Sequence, residues 1–155
     1  MPYIEKLPRP FESRAGNPLT PNNASHLRIE VRYSETDAMG FVYYANYLIY
    51  FEVARTTALA ELGHPYWEME KEGVLIPVLR AHCEYLNPAR YGDALLIRTV
   101  RTRLGHARIR FDYTVRREGG DAILTQGFTE HAFMNAVGKP LRPPVHLAEL
   151  FPKPV

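Results

Sequence analysis

The chain is poor in several features that would have fixed its class at once. It has a single cysteine, Cys83, in 155 residues. That excludes an intramolecular disulfide framework and a paired-thiolate zinc site, and it fits a reducing compartment. No apolar run approaches the roughly 20 residues that span a bilayer. Neither sign of charge dominates: 19 Lys and Arg against 17 Asp and Glu leave +2, too balanced for a dedicated nucleic-acid binder. Met1 to Pro10 carries no apolar core and includes Glu5 and the prolines 2, 8 and 10, so no secretion signal is expected and the cytoplasm is the expected location. A phosphate-binding loop, a dinucleotide fingerprint, a His-Glu-x-x-His zinc motif and a Gly-x-Ser-x-Gly elbow are all missing, and no cofactor or metal is expected.

What the chain does have is a soluble-domain composition, 46% hydrophobic and 23% charged, and enough length to bury a core unaided. Residues 1–25, rich in Pro, Asn and Ser, read as an arm that is flexible or held against a partner; residues 26–155 read as one domain. Leu27, Ile29, Val31 and Tyr33 alternate with Arg28, Glu30 and Arg32, the period of a half-buried strand. After a polar turn at 34–40, residues 46–62 run without Gly or Pro, with Asn46 as expected N-cap and Gly63 and Pro65 as the stop. This helix, roughly 25 Å long at 1.5 Å per residue, is apolar around most of its girth, which predicts burial at the centre of the fold.

A short helix is expected at 65–71, then only strands: 74–86, 94–103, 107–116 and 122–137, with Gly119-Gly120 as a hairpin turn, Gly127 as a bulge, and a turn of helix at 147–150. Short connections require antiparallel neighbours. The expected fold is α+β, an antiparallel sheet of about five strands wrapped around one long helix.

Chemistry concentrates where the first strand turns into the helix. Asp37 stands on a turn just before a helix whose first N–H groups lack intrahelical partners. Those N–H groups and the helix dipole favour negative charge, so a carbonyl placed there would be polarised. Asp37 beside it would serve as nucleophile or general base, and Gly40 would let the backbone turn close to a ligand. The competing reading is that Asp37 is an Asx-turn or capping residue and that Tyr43, Tyr44, Tyr47 and Tyr50 are core. Elsewhere, Glu52 and Arg55 are spaced to pair along the helix. His82 and Glu84 share a strand face without a third ligand. His131 reads as a packed, hydrogen-bonded side chain, and Cys83 as a small buried hydrophobe.

Glu35, Asp37, Gly40, Val42, Tyr44, Asn46 and Tyr47 together resemble the signature of the hotdog-fold acyl-CoA thioesterases, in particular the 4-hydroxybenzoyl-CoA thioesterase and YbgC-like group. The likeness runs over about residues 27–143, including Tyr85, Pro88, Gly92 and Asp93. The resemblance implies a hotdog fold and hydrolysis of an acyl-CoA, or of an acyl carrier protein thioester, to a free acid and a thiol. Asp37 matches the catalytic carboxylate. Tyr44 matches the position whose backbone N–H polarises the thioester carbonyl; many YbgC-like members have His there. Gly40, Val42, Tyr43, Asn46 and Tyr47 would contact substrate, and the family implies a homodimer or homotetramer. Arg103, His106 and Arg108, flanking the Gly105 turn, would meet the coenzyme A phosphates; a solvated hairpin tip is the plainer reading. A hotdog hydratase or dehydratase and a non-catalytic acyl-binding protein are the alternatives. The hydratases usually need a His at the helix, and none lies between Leu27 and Gly63.

Overall fold

The computed structural model of the chain describes residues 23–154. In chain order these form β1 (Ala24–Glu30), a 3-10 turn (Tyr33–Glu35), α1 (Asn46–Glu61), α2 (Tyr66–Lys71), β2 (Val78–Tyr85), β3 (Ala94–Arg103), β4 (Arg108–Arg117), β5 (Ile123–Ala132) and α3 (Val145–Ala148). The strands make one five-stranded antiparallel sheet in the order β1-β3-β4-β5-β2. This is the hotdog arrangement: α1 leaves β1, crosses one face of the sheet, and the chain returns along β2 at the opposite edge. Of the expected arm only residues 23–25 fall among the described ones, and Ala24 and Ser25 already belong to β1.

The core lies between α1 and the inward residues of the sheet. Strand alternation sends Leu95, Ile97, Ile109, Phe111, Tyr113 and Val115 to that face, against Tyr47, Tyr50, Phe51, Ala54 and Leu59 of α1. Phe51 is fully buried and stacks on Tyr113, ring centroids 4.2 Å apart and 4° from parallel.

Several expectations need correction, each for a local reason. Asn46 is not the N-cap: Ala45 holds that position without a side-chain cap, and the Asn46 amide instead donates to the Glu35 carbonyl at 2.8 Å. The strand expected at 74–86 begins at Val78, after Pro77, which has no N–H for a ladder. The last strand, expected to run to 137, stops at Ala132, and α3 lies at Val145–Ala148 rather than 147–150. Gly127 is not a bulge. It pairs in register with Cys83 and Tyr113, while the register shifts occur at Val78/Arg80 and Val115/Arg116. A side chain at 127 would strike the His82 carbonyl and come within 3.1 Å of the Phe51 ring, so this glycine lets α1 approach the sheet.

The largest departure concerns α1 itself. Only one side of it is buried; Leu48, Ile49, Val53 and Leu62 are exposed on the other. Beside them β2 forms a sheet edge with Val78 and Leu79 also exposed. No helix of the described residues is long and apolar enough to cross a membrane.

Candidate active site

The segment between β1 and α1 is held in place by Glu35. Its carboxylate is buried and accepts the Arg32 N–H at 2.8 Å, the Arg32 Nε–H at 2.9 Å and the Tyr50 hydroxyl at 2.7 Å. Burial alone would raise this carboxyl, but the Arg32 N–H, the Tyr50 hydroxyl and the Arg32 guanidinium outweigh it and hold Glu35 below the usual carboxylate range. Its backbone carbonyl takes two more donors, the Tyr43 N–H at 2.8 Å and the Asn46 side chain. One residue thus ties the turn to the start of α1.

Two residues on, Asp37 is bound differently. Its Oδ1 accepts the Met39 N–H at 3.0 Å and the Phe41 N–H at 3.3 Å, an Asx turn closed by Asp37 N–H to Phe41 O and Gly40 N–H to Asp37 O, both 2.9 Å. The turn reading of Asp37 is therefore met, and it uses one carboxylate oxygen. The carboxylate is half-buried, and its charge acts on the neighbouring Tyr43 hydroxyl. Gly40 takes φ +77°, which L side chains rarely adopt, and a Cβ there would lie 3.4 Å from Arg90 Nη1. Arg90 in turn covers the Phe41 ring at 4.7 Å.

The helix start lies alongside. Asn46, Tyr47 and Leu48 N–H groups bond back to Tyr43, Tyr44 and Ala45 carbonyls, whereas the N–H groups of Tyr44 and Ala45 have no acceptor among the described residues. The exposed Tyr43 and Tyr44 rings lie 4.7 Å apart, tilted by 57°, and Tyr85 donates its hydroxyl to the Tyr44 carbonyl at 3.1 Å. Val42 and Tyr47 are buried beneath this surface; the Val42 N–H bonds to Ala89 O at 2.9 Å. The structure thus brings Asp37, Gly40, Tyr43, Tyr44 and Asn46 together at the surface, with Val42 and Tyr47 as the floor. Tyr50, Tyr85 and Arg90 join the site without having been singled out for it; only the fold brings the three to this turn.

The basic residues lie elsewhere. Arg103, His106 and Arg108 sit at the β3–β4 turn, whereas Asp37 belongs to the end where Val31 meets Asp93, just before β3. The ten residues of β3 separate the two places, about 30 Å of strand. Glu52 and Arg55 form no ion pair with each other among the described residues. Both line a groove between α1 and β2 of about 240 Å³, where Arg55 acts on the Tyr113 hydroxyl. His131 is fully buried, its Nδ1–H donating to Ile76 O at 2.8 Å; burial lowers its pKa to about 4, so the ring is neutral and its Nε2 accepts from the Thr129 hydroxyl. Burial pushes the Cys83 thiol up to about 11, which removes the thiolate a nucleophile needs. His82 contacts Glu84 at 3.3 Å on the outer face of the sheet.

Comparison with known proteins places this geometry in a family. The model of the thioesterase-like superfamily matches residues 31–151. The 1,4-dihydroxy-2-naphthoyl-CoA hydrolase of Thermosynechococcus vestitus is 35% identical over 94 residues, covering 60% of this chain and 64% of that protein. The acyl-CoA thioester hydrolase YbgC of Escherichia coli is 37% identical over 76 residues, 49% of this chain and 57% of that one. The chain thus spans between about half and two thirds of the length of these relatives. A solved structure, a hypothetical protein from Thermus thermophilus, superposes with a TM-score of 0.76 at 36% identity over 82% of this chain and 96% of its own. A five-stranded sheet around α1, the Asp37 turn at its N-terminus and a family match over most of the chain lead to one conclusion: the chain belongs to the thioesterase-like superfamily.

Proposed function

We propose that the protein hydrolyses an acyl-CoA thioester to the free acid and coenzyme A, with Asp37 as nucleophile or general base and the Tyr44 N–H as the donor to the carbonyl oxygen. The observation that carries the reading is local: an Asx turn fixes one oxygen of Asp37 and leaves the other unengaged, beside N–H groups of Tyr44 and Ala45 that have no acceptor among the described residues. As a base, Asp37 takes a proton from water as the hydroxide attacks the thioester carbon. The oxyanion is stabilised by fixed N–H donors, which need no reorganisation as charge develops. The carbon–sulfur bond then breaks, and the thiolate leaves with a proton. As a nucleophile, Asp37 instead attacks the thioester carbon and expels the thiolate, forming a mixed anhydride that water opens to the free acid and the Asp37 carboxylate. Gly40, Tyr43 and Asn46 shape the surface that the acyl and pantetheine parts cross, and the names of the relatives support a coenzyme A thioester as substrate.

Asp37→Asn tests the role, because Asn keeps the turn-forming Oδ1. Across a panel of short, long and aromatic acyl-CoAs, kcat should fall by about 10²-fold or more, the scale of a positioned acid–base group. Turnover equal to wild type would refute it.

The assembly belongs to the same proposal. Leu48, Ile49 and Val53 on α1, with Val78 and Leu79 on the open edge of β2, make a continuous apolar surface that a second copy would cover, giving a homodimer in the cytoplasm, alone or paired into a tetramer. Light scattering should find at least a dimer at micromolar concentration, and Ile49→Glu with Val53→Glu should shift it to monomer. A wild-type monomer at that concentration would contradict the assignment.

A further inference from the structure

Two buried apolar residues lie apart from the core. Val100 on β3 and Phe128 on β5 are 3% and 5% exposed, yet neither belongs to the cluster that packs between α1 and the sheet. The register explains why. Val100 pairs with Asp112, Asp112 with Phe128 and Phe128 with His82. The four form a row across the sheet, and strand alternation turns that row to the face opposite α1. A network of ions surrounds it. Arg110 lies 3.7 Å over the Phe128 ring and forks onto Asp112, while Glu130 accepts from Arg80, Arg108 and Arg110 at 3.2 or 3.3 Å. Arg110, Asp112 and Glu130 are buried as well, which charged side chains on a solvated face almost never are. These exposures are those of a single chain, and the buried apolar residues of α1, α2 and α3 are spent in the core on the other side. The cover of the outer row has to come from elsewhere in the chain.

The residues before β1 arrive at this row. The backbone bends at Asn23, whose carbonyl accepts the Arg101 N–H at 2.9 Å and whose side-chain amide donates to Arg101 O at 3.1 Å. The next residue, Ala24, stands opposite Val100. Residues preceding Asn23 cannot continue along the edge of β3, because the Arg103 N–H is taken by Pro152 O at 2.9 Å. Nor is the α1 side open. Leu150 O accepts the Arg101 Nε–H there at 3.0 Å, and Phe151 is buried against Phe111. The outer face is the side that remains.

Length and composition fit that route. In the order β1-β3-β4-β5, Phe128 lies three strand spacings from β1, about 14 Å at ~4.8 Å each. Five residues of extended polyproline-type chain cover about 15 Å. Counting back five from Ala24 reaches Leu19, the one aliphatic side chain of residues 17–22, flanked by Pro18 and Pro21. Those prolines favour an extended chain and bring no N–H groups that would need partners. We infer that residues 17–22 cross the outer face of their own sheet as an extended strap, with Leu19 seated on Phe128. The strap closes this face to a second copy and leaves association to other faces of the subunit. None of this rests on the hydrolase reading.

Photocross-linking of the full chain tests the placement. Leu19→p-benzoylphenylalanine, irradiated at micromolar concentration, should give an adduct of single-chain mass that maps by mass spectrometry to the outer residues of β4, β5 or β2. An adduct of two-chain mass would put a second copy on the face, and no adduct to the sheet would put the segment elsewhere; either result overturns the inference. Thermal melting is the second readout. Leu19→Ala should lower the melting temperature by a few degrees, and the same change should have less than half that effect once Phe128→Ala has removed its seat. Fully additive losses would show that the two residues do not meet and would contradict the strap. Where Phe128→Ala fails to fold, the cross-link alone decides.

Discussion

Glu35 and Asp37 are two carboxylates separated by one residue in the same turn, and the fold treats them in opposite ways. Glu35 is buried and accepts from three groups, and its carbonyl takes two more donors. Asp37 is half-exposed and satisfies only neighbouring N–H groups through one oxygen. The difference separates architecture from chemistry. A carboxylate whose lone pairs are spent on its own chain positions others; one with an oxygen to spare beside unpaired N–H groups can act on a substrate.

Removing the anchor should have the largest effect on stability. Glu35→Ala leaves the Tyr50 hydroxyl and the Arg32 N–H without their acceptor, and unmet buried donors cost about 1–3 kcal/mol each. The melting temperature should drop by roughly 5–10 °C for a chain of this size, with activity lost along with the turn. Unchanged melting in Glu35→Ala would erase the contrast between the two residues.

Tyr50→Phe is the milder probe. It removes one donor and keeps the ring, so about 1 kcal/mol should be lost. It also changes the acid response. Because Glu35 titrates below its unfolded value, it contributes stability that is present above about pH 4 and disappears as pH falls through the folded pKa. Wild type should therefore lose melting temperature on acidification more steeply than Tyr50→Phe; parallel acid profiles would assign the lowered pKa to Arg32 alone.

The chain's own pattern made the sheet and the site turn legible. Alternation in β1 and β4, the Gly119-Gly120 hairpin and the uninterrupted run of α1 are short-range signals, as is the Asp-x-x-Gly spacing of residues 37 and 40. Long-range contacts decided the rest. Asn46 looks like a cap by position, yet the Glu35 carbonyl draws its side chain back toward the turn. Gly127 looks like a bulge, yet its reason is the approach of Phe51 and β2. The apolar girth of α1 predicted complete burial, and half of it faces outward, the surface on which the proposed dimer would close.

The sharpest test crosses the two carboxylates in one measurement: kcat for an acyl-CoA thioester and thermal melting, taken together, for Asp37→Asn and Glu35→Gln. Asp37→Asn should melt within a degree or two of wild type and turn over about 10²-fold more slowly, while Glu35→Gln should melt lower and keep most of its turnover below its melting range. Wild-type turnover in a folded Asp37→Asn protein would contradict a catalytic role and leave Asp37 as a turn residue alone.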